Sequence, residues 1–152
     1  MQKRYAFLIM VALFSLGLAT ASLAQPGMHW RGSGGWGPGS QYGRMYDPKA
    51  IETVNGEIVR VDRITPMRGM SGGIHVVVKT ATETLDVHLG PRWYLENQDM
   101  QFASTDQVEV RGARVTIGGK PAIIAAEVKK GDGVLILRDD QGVPLWSGWR
   151  RR

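Results

Sequence analysis

Residues 73–90 constrain the fold of this 152-residue chain more than any other stretch, because their pattern predicts a β-hairpin. Two alternating runs, IHVVVKT and ETLDVHL, flank a short polar centre at Ala81-Thr82. Pairing about this centre collects the aliphatic side chains on one face, whereas a one-residue slip would place polar side chains among them. Ala81-Thr82 is a poor sequence for a two-residue turn, but a four-residue loop on the same centre gives the same register. The predicted aliphatic pairs are Ile74 with Leu89, Val76 with Val87, and Val78 with Leu85.

The opposite face of the hairpin carries a candidate metal site. His75 is predicted to lie opposite His88, and directly opposed residues in an antiparallel pair have Cβ atoms ~4.5–5.5 Å apart, so both imidazoles can reach one ion. Met67 and Met70 lie in the adjacent loop over residues 65–73. Imidazole and thioether ligands together favour copper, particularly Cu(I). The four candidate metal ligands are therefore His75, His88, Met67 and Met70.

Two further points concern this candidate site. Asp86 precedes His88 by two residues, so the same face carries a carboxylate that could orient an imidazole. The alternative to a metal site is that both histidines are solvated cross-strand neighbours and that the methionines cover an apolar end of a barrel.

The order of the predicted elements defines the fold class. Three strands, a short helix beginning at Pro91 and two further strands are typical of the OB-fold, a small and partly open barrel. We therefore predict an all-β, five-stranded OB-fold-like barrel with one short helix between strands 3 and 4, plus a C-terminal hairpin. Trp93 and Leu95 are expected to plug one barrel end. The predicted ranges are strands at 53–64, 74–80, 83–89, 107–117 and 121–129, a domain at 50–138, and a C-terminal strand with a basic tail at 139–152.

Residues 1–49 have two predicted parts. Residues 1–24 have the basic start, apolar run and small residues of a secretory signal, cut before Gln25, and this predicts a periplasmic or secreted protein. The alternative is a retained membrane anchor, but the run is shorter than the ~20 apolar residues that span a bilayer. Residues 25–49 are Gly-rich and aperiodic, which predicts a flexible linker. Their scattered aromatic and arginine side chains could alternatively bind a ligand by stacking.

Composition excludes several kinds of chemistry. The chain has no cysteine, so disulfides and thiolate ligands are absent, and it has no Walker or HExxH motif. The paired carboxylates Asp139-Asp140 are typical of a turn. The sequence therefore predicts a non-enzymatic protein.

Two family resemblances follow from these residues. The strand order over residues 53–129 resembles small exported bacterial OB-fold proteins of the BOF-like kind. An exported barrel with His75, Met67 and Met70 near its first long loop also resembles the periplasmic copper/silver chaperones of efflux systems. Those chaperones bind Cu(I) without catalysis through one His, two Met and a Trp face. The resemblance implies ligand roles for the same three residues, with Trp93 the nearest tryptophan.

A competing hypothesis is a module that binds a protein, an oligosaccharide or an oligonucleotide through the barrel face and loops. A nucleic acid is disfavoured because the outer hairpin face lacks the aromatic platforms on which bases stack. The basic C-terminal residues 150–152, next to Trp146 and Trp149, could contact anionic lipid at ~1 kcal/mol per basic residue, although a solvated tail is the commoner case. The candidate ligand-binding cations are Arg60, Arg68, Lys79 and Lys120.

Overall fold

The computed structural model describes residues 34–147, in which runs rich in valine and isoleucine form the strands. One 3-10 turn, six strands and one short helix, α1, follow each other along these residues. They are the 3-10 turn Gly43–Met45, β1 Ile51–Ile64, β2 Gly73–Lys79, β3 Thr84–Pro91, α1 Arg92–Leu95, β4 Gln107–Ile117, β5 Lys120–Lys130 and β6 Gly133–Ile136.

Five of the strands close into a barrel. The sheet order is β3-β2-β1-β4-β5-β6, and an additional parallel pairing of β3 with β5 closes the ring. Strand β1 is long enough to pair with β4 through its first half and with β2 through its second half. Near the change of partner, a Cβ atom on Gly56 would lie 2.3 Å from the carbonyl oxygen of Lys79, so only glycine allows this approach. The predicted all-β class, a five-stranded barrel with one short helix between strands 3 and 4, is confirmed.

The hairpin register is confirmed over most of its length. Val76 pairs with Val87, Val78 pairs with Leu85, and His75 pairs with His88. An irregularity between Ile74 and His75 makes Ile74 pair with Gly90 instead of the predicted Leu89. Four residues, 80–83, join the strands, and Thr80 closes them through a backbone bond from its N–H to the carbonyl oxygen of Glu83 (2.8 Å).

The barrel interior is aliphatic and holds the main core. A β-bulge at Val59 shifts the register of β1 against β2, so Ile58 points inward and Val59 is exposed. A second bulge lies at Ala126 of β5, opposite Arg111 and Gly112 of β4. The fully buried aliphatic side chains include Ile58, Val76, Val78, Leu85, Val87, Leu89, Val110, Ile123 and Ile124.

The described part of the predicted linker differs from the expectation of a flexible tether. Residues 34–46, which we call the aromatic strap, lie on the barrel and bury Trp36 and Tyr42 to 1% exposure each. The indole N–H of Trp36 donates to the carbonyl oxygen of Ser71 (3.0 Å). The N–H of Ser71 in turn donates to the carbonyl oxygen of Gly34 (2.8 Å). The glycines leave room for these contacts, and the aromatic side chains supply buried apolar area.

The helix and the C-terminal segment also differ from the prediction in detail. Helix α1 is only four residues long, and it buries Tyr94 and Leu95, whereas Trp93 is partly exposed. A C-terminal hairpin is present, with a bridge between Arg138 and Pro144. Trp146, predicted to adjoin a membrane-contacting tail, is buried, and its indole N–H donates to the carbonyl oxygen of Trp36 (2.9 Å).

Several predictions fall outside the described residues. They are the secretory signal at 1–24, the linker residues before Gly34, and the basic end at 150–152 with Trp149. Among residues 34–147, no helix is long and apolar enough to cross a bilayer.

The position of the strap predicts a steric effect at Gly73. A Cβ atom there would lie 2.2 Å from Cζ2 of Trp36, so the Gly73→Ala variant should lose about 1–3 kcal/mol of unfolding free energy in chemical denaturation. The neighbouring Gly72 has no atom within 4 Å of such a Cβ, and Gly72→Ala is the matched control. In a Trp36→Ala background the difference between the two alanine variants should shrink to what the 3.0 Å approach of this Cβ to the carbonyl oxygen of Gly90 causes. An undiminished difference in that background would show that the strap does not cause the effect.

Candidate functional site at a buried histidine pair

The two predicted imidazoles lie side by side on the outer face of the hairpin. His75 on β2 and His88 on β3 are direct cross-strand partners, and their ring centroids are 5.5 Å apart with an interplanar angle of 45°. The period of the two strands produces this placement, since inward aliphatic residues force their neighbours outward. The pairing brings together the two histidines that the sequence predicts as metal ligands.

The sequence predicts an outer hairpin face that is open to solvent, but in the structure this face is covered. His75 is 7% exposed and His88 is 3% exposed. The ring of Tyr42 in the aromatic strap stacks on His88 at a centroid distance of 6.0 Å and an angle of 17°. Trp36 packs edge-on against Tyr42 at 5.0 Å. The strap therefore turns a predicted surface pair into a buried one.

A carboxylate from β1 completes the cluster. Asp62 pairs in register with His75, and its Oδ2 lies 3.2 Å from Nε2 of His75. The guanidinium of Arg60 donates to the same oxygen at 2.6 Å, and this bond holds the pKa of Asp62 below its usual value. Sequence reasoning missed Asp62, although laying β1 beside β2 would have placed it next to His75.

The predicted orienting carboxylate, Asp86, lies in the predicted register. It pairs with Val77, and its charge acts to raise the pKa of His88. The contact that orients an imidazole comes from Asp62, and it acts on His75.

The ring nitrogens of the pair are incompletely satisfied. A carboxylate only accepts hydrogen bonds, so Nε2 of His75 donates to Asp62, and in the neutral ring Nδ1 then carries a lone pair. Within the described residues, Nδ1 of His75 and Nδ1 of His88 are both buried without a hydrogen-bond partner. Unpaired buried polar atoms are uncommon, because each costs free energy. The cluster thus offers two bare imidazole nitrogens.

Burial keeps His88 neutral. Its pKa is lowered to about 4, first by desolvation and then by repulsion from His75, which together outweigh the attraction of Asp86. Imidazole binds metals in its neutral form, so this residue is a competent ligand at neutral pH.

The predicted methionines lie against the hydrophobic core cluster. Met67 and Met70 are partly buried against the apolar core. Met70 packs beside the aromatic strap, where its Cγ lies 2.7 Å from the position of a Cβ on Gly35. Among residues 34–147, no group of three or more His, Cys, Asp or Glu side chains is arranged to hold a metal ion. The two imidazoles are the predicted ligands that the structure shows next to each other.

The candidate ligand-binding cations are divided between the two ends of the barrel. Arg68 lies in the β1–β2 loop, before the first residue of β2, whereas Lys79 is the last residue of β2. Strands β3 and β5 pair in parallel with Asp86 opposite Ala122, so Lys120 lies beside Thr84. Thr84 pairs with Lys79, which places both lysines at the same end of the barrel. Arg60 is bound to Asp62. Only Lys79 and Lys120 thus share one end.

The buried state of His88 predicts an acid-sensitive stability. Because its pKa is about 4 in the folded protein and about 6.5 in an unfolded chain, the unfolded state takes up the proton first as the pH falls. The free energy of unfolding should therefore decrease by about 2 kcal/mol from pH 7 to pH 5. The pKa of Asp62 lies below its usual value, so this carboxylate titrates below that interval.

Urea denaturation at each pH measures this decrease. The His88→Gln variant is the control, because it should lose most of the decrease over the same interval. An equal decrease in that variant would assign the pH dependence to other groups.

The family match corrects the two resemblances that the sequence analysis gave. Residues 50–135 match the model of the MamS/MamX magnetosome protein family. No curated protein matches this chain. The match overturns the assignment to BOF-like exported OB-fold proteins and to copper/silver efflux chaperones, which rested on strand order and on a few histidine and methionine positions. The matched segment spans β1 to β6 and includes both histidines, and because it covers more than half of the chain, the protein belongs to the MamS/MamX magnetosome protein family.

Proposed function

We propose that this protein is a non-enzymatic binding module that holds a transition-metal ion between His75 and His88. One observation supports the proposal above all others: two adjacent buried imidazoles each present an Nδ1 atom without a hydrogen-bond partner in the described structure. A metal ion would satisfy both nitrogens. A buried water molecule, which needs two to four polar partners, could also do so, because the two Nδ1 atoms supply two.

The surroundings of His75 favour a ligand role. Metal-bound histidines usually donate their second ring N–H to a carboxylate, which fixes the tautomer and makes the ligand more basic. Asp62 occupies that position relative to His75. Arg60 holds Asp62 in place and lies largely in solvent, so the carboxylate is anchored from outside the cluster.

The donor set defines the class of ion. Imidazole suits zinc, copper, iron and nickel, whereas magnesium and calcium prefer oxygen ligands. The predicted preference for Cu(I) depended on thioether ligands, and Met67 and Met70 pack against the apolar core. We therefore infer a first-row transition-metal ion, with copper as one candidate, whose remaining coordination positions are filled by water or by a bound partner.

The proposed setting of this activity is a magnetosome, as the family description indicates. Export from the cytoplasm is also proposed, on the basis of the signal-like residues 1–24. In such a compartment a barrel without cysteine would bind metal without thiolate ligands, and its binding would not depend on thiol oxidation.

Metal-dependent stabilisation tests the proposal. The melting temperature of the purified protein should rise with excess Zn²⁺ or Cu(I), since a ligand at one hundred times its Kd adds about 2.7 kcal/mol to stability. The His75→Ala/His88→Ala variant should give no rise. The Asp62→Asn variant should bind about 10–100 times more weakly, because it loses the orienting charge.

Two matched variants serve as controls for this test. His29→Ala removes the remaining histidine, and Met67→Leu/Met70→Leu removes both thioethers while preserving apolar volume. Both should retain the metal response. Identical melting curves with and without metal, for wild type and the double-histidine variant alike, would exclude a metal site at this position.

A partner-binding module is the second candidate function. Lys79 and Lys120 are exposed at the same end of the barrel, and neither forms an ion pair within the described residues. They could receive an anionic glycan or an acidic protein segment, with a contact that weakens as salt increases.

Binding to heparin, used as a polyanion probe, tests this second candidate. The Lys79→Ala/Lys120→Ala variant should bind several-fold more weakly at low salt, because two cations are lost from one surface. Arg68→Ala, which removes an exposed cation at the other end, is the control. Equal weakening by both variants would indicate non-specific attraction, and no binding by the wild type would exclude this surface for polyanions.

A further inference from the structure

The aromatic strap covers the histidine pair on the side of His88. Both imidazoles are almost fully buried, and the Tyr42 ring lies directly on His88. Tyr42 is itself enclosed, and its burial raises the pKa of its phenol well above the usual value. An ion or a water molecule that approaches from the strap side must therefore pass through the position of the Tyr42 ring.

The strap is separate from the barrel sheet. Residues 34–46 contain one 3-10 turn and belong to no strand, so the closed five-stranded ring does not depend on them for backbone hydrogen bonds. Displacement of the strap would expose the outer hairpin face and leave the ladder intact. Segments with few ladder bonds open at lower free energy than core strands do.

The strap is also held together locally. Ser40 donates through its hydroxyl to the carbonyl oxygen of Gly37 (2.7 Å) and accepts from the N–H of Gly43 (2.9 Å). The N–H of Arg44 donates to the carbonyl oxygen of Ser40 (3.0 Å). These short-range bonds do not involve the barrel, so the strap can move as one unit.

Three hydrogen bonds fasten the strap at its N-terminal end, and all of them go to loops or to the C-terminal segment. They join Ser71 N–H to Gly34, the Trp36 indole to Ser71, and the Trp146 indole to Trp36. At the other end the chain turns at Asp47, whose Oδ1 accepts from the N–H of Lys49 (2.9 Å) in an exposed turn. The attachment at Trp36 gives the strap a fastened end, and the buried Tyr46, held against Arg138, together with the turn at Asp47 gives it a pivot.

From this arrangement we propose that the aromatic strap is a gate, with Trp36 as its latch and Tyr42 as its blocking ring, and that it controls the rate at which a metal ion reaches His75 and His88. The inference rests on the proposed metal-binding function for the identity of the ligand. The gate itself makes a claim about solvent access that is independent of any metal. Opening changes entry and exit rates together, because the same movement admits and releases the ion.

The Trp36→Phe variant tests the latch. It removes the indole N–H that binds Ser71 but keeps an aromatic ring beside Gly73. The rate of deuterium exchange at C2 of each imidazole, read by peptide mass spectrometry, should increase roughly three- to tenfold at His75 and His88, as loss of one hydrogen bond predicts. Trp93→Phe, the same change on helix α1 outside the strap, should leave both rates unchanged.

Backbone exchange separates gating from global unfolding. In the wild type and in Trp36→Phe, the opening free energy for exchange at the imidazole C2 positions should be lower than that for the amides of Val76 and Val87 in the barrel. Equal opening free energies would attribute imidazole exchange to global unfolding and would overturn the gate. Unchanged imidazole exchange in Trp36→Phe would overturn it as well.

Stopped-flow mixing with Zn²⁺ connects the gate to the metal. Association and dissociation rates should both increase by the same factor in Trp36→Phe, so Kd should change less than twofold. A wild-type protein that binds no Zn²⁺ or Cu(I), but whose imidazole exchange responds to Trp36→Phe, would retain the gate and exclude the metal function. Metal binding with unaltered rates in the variant would retain the function and exclude the gate.

Discussion

Burial of the β2–β3 hairpin on both faces is the constraint on which the rest of the structure depends. Its inner face supplies the aliphatic core of the barrel, and its outer face is covered by the aromatic strap. A strand buried on both faces must place its outward polar groups in a dry environment, where each needs a partner. His75 obtains one from Asp62 through Nε2, but both Nδ1 atoms remain without partners in the described structure. The candidate site is therefore a consequence of how the hairpin is covered.

The sequence predicts the barrel better than it predicts the aromatic strap, because the hairpin follows from local pattern and the strap depends on contacts between residues far apart in the chain. A period of two with Val76 and Val78 on one side admits a single register, so the cross-strand histidines follow from local pattern alone. The strap has no period, and its burial depends on hydrogen bonds to residues 35 and 110 positions away along the chain. Glycine content suggested flexibility, but glycine also lets an indole approach a backbone closely, as Trp36 does at Gly73. Asp62 was predictable in principle, because strand adjacency places it beside His75.

Arg138 joins the strap side of the molecule to the C-terminal segment. Its guanidinium lies 4.8 Å from the Tyr46 ring centroid and 5.4 Å from that of Trp146, and it donates to the carbonyl oxygen of Gly142 (3.0 Å). The residue is buried, and desolvation lowers its pKa below the usual value. A desolvated cation between two aromatic faces gains about 2 kcal/mol from each favourable contact, which offsets part of the cost of burial. The same rings thus serve the core and hold the two ends of the described chain together.

The enclosure of the histidine pair has two opposite effects on the proposed metal binding. Desolvation lowers the pKa of His88 to about 4, so a proton does not compete for the imidazole at neutral pH. The same enclosure disfavours a bare charge, because an ion surrounded by apolar rings loses hydration that two nitrogens only partly replace. Asp62 supplies one negative charge beside His75, and this charge moderates the cost of a cation more than a neutral orienting group would. A two-imidazole centre in this setting would therefore bind most tightly an ion that tolerates low coordination and carries little charge, and an ion that needs a full octahedral shell would require the cover to stay open.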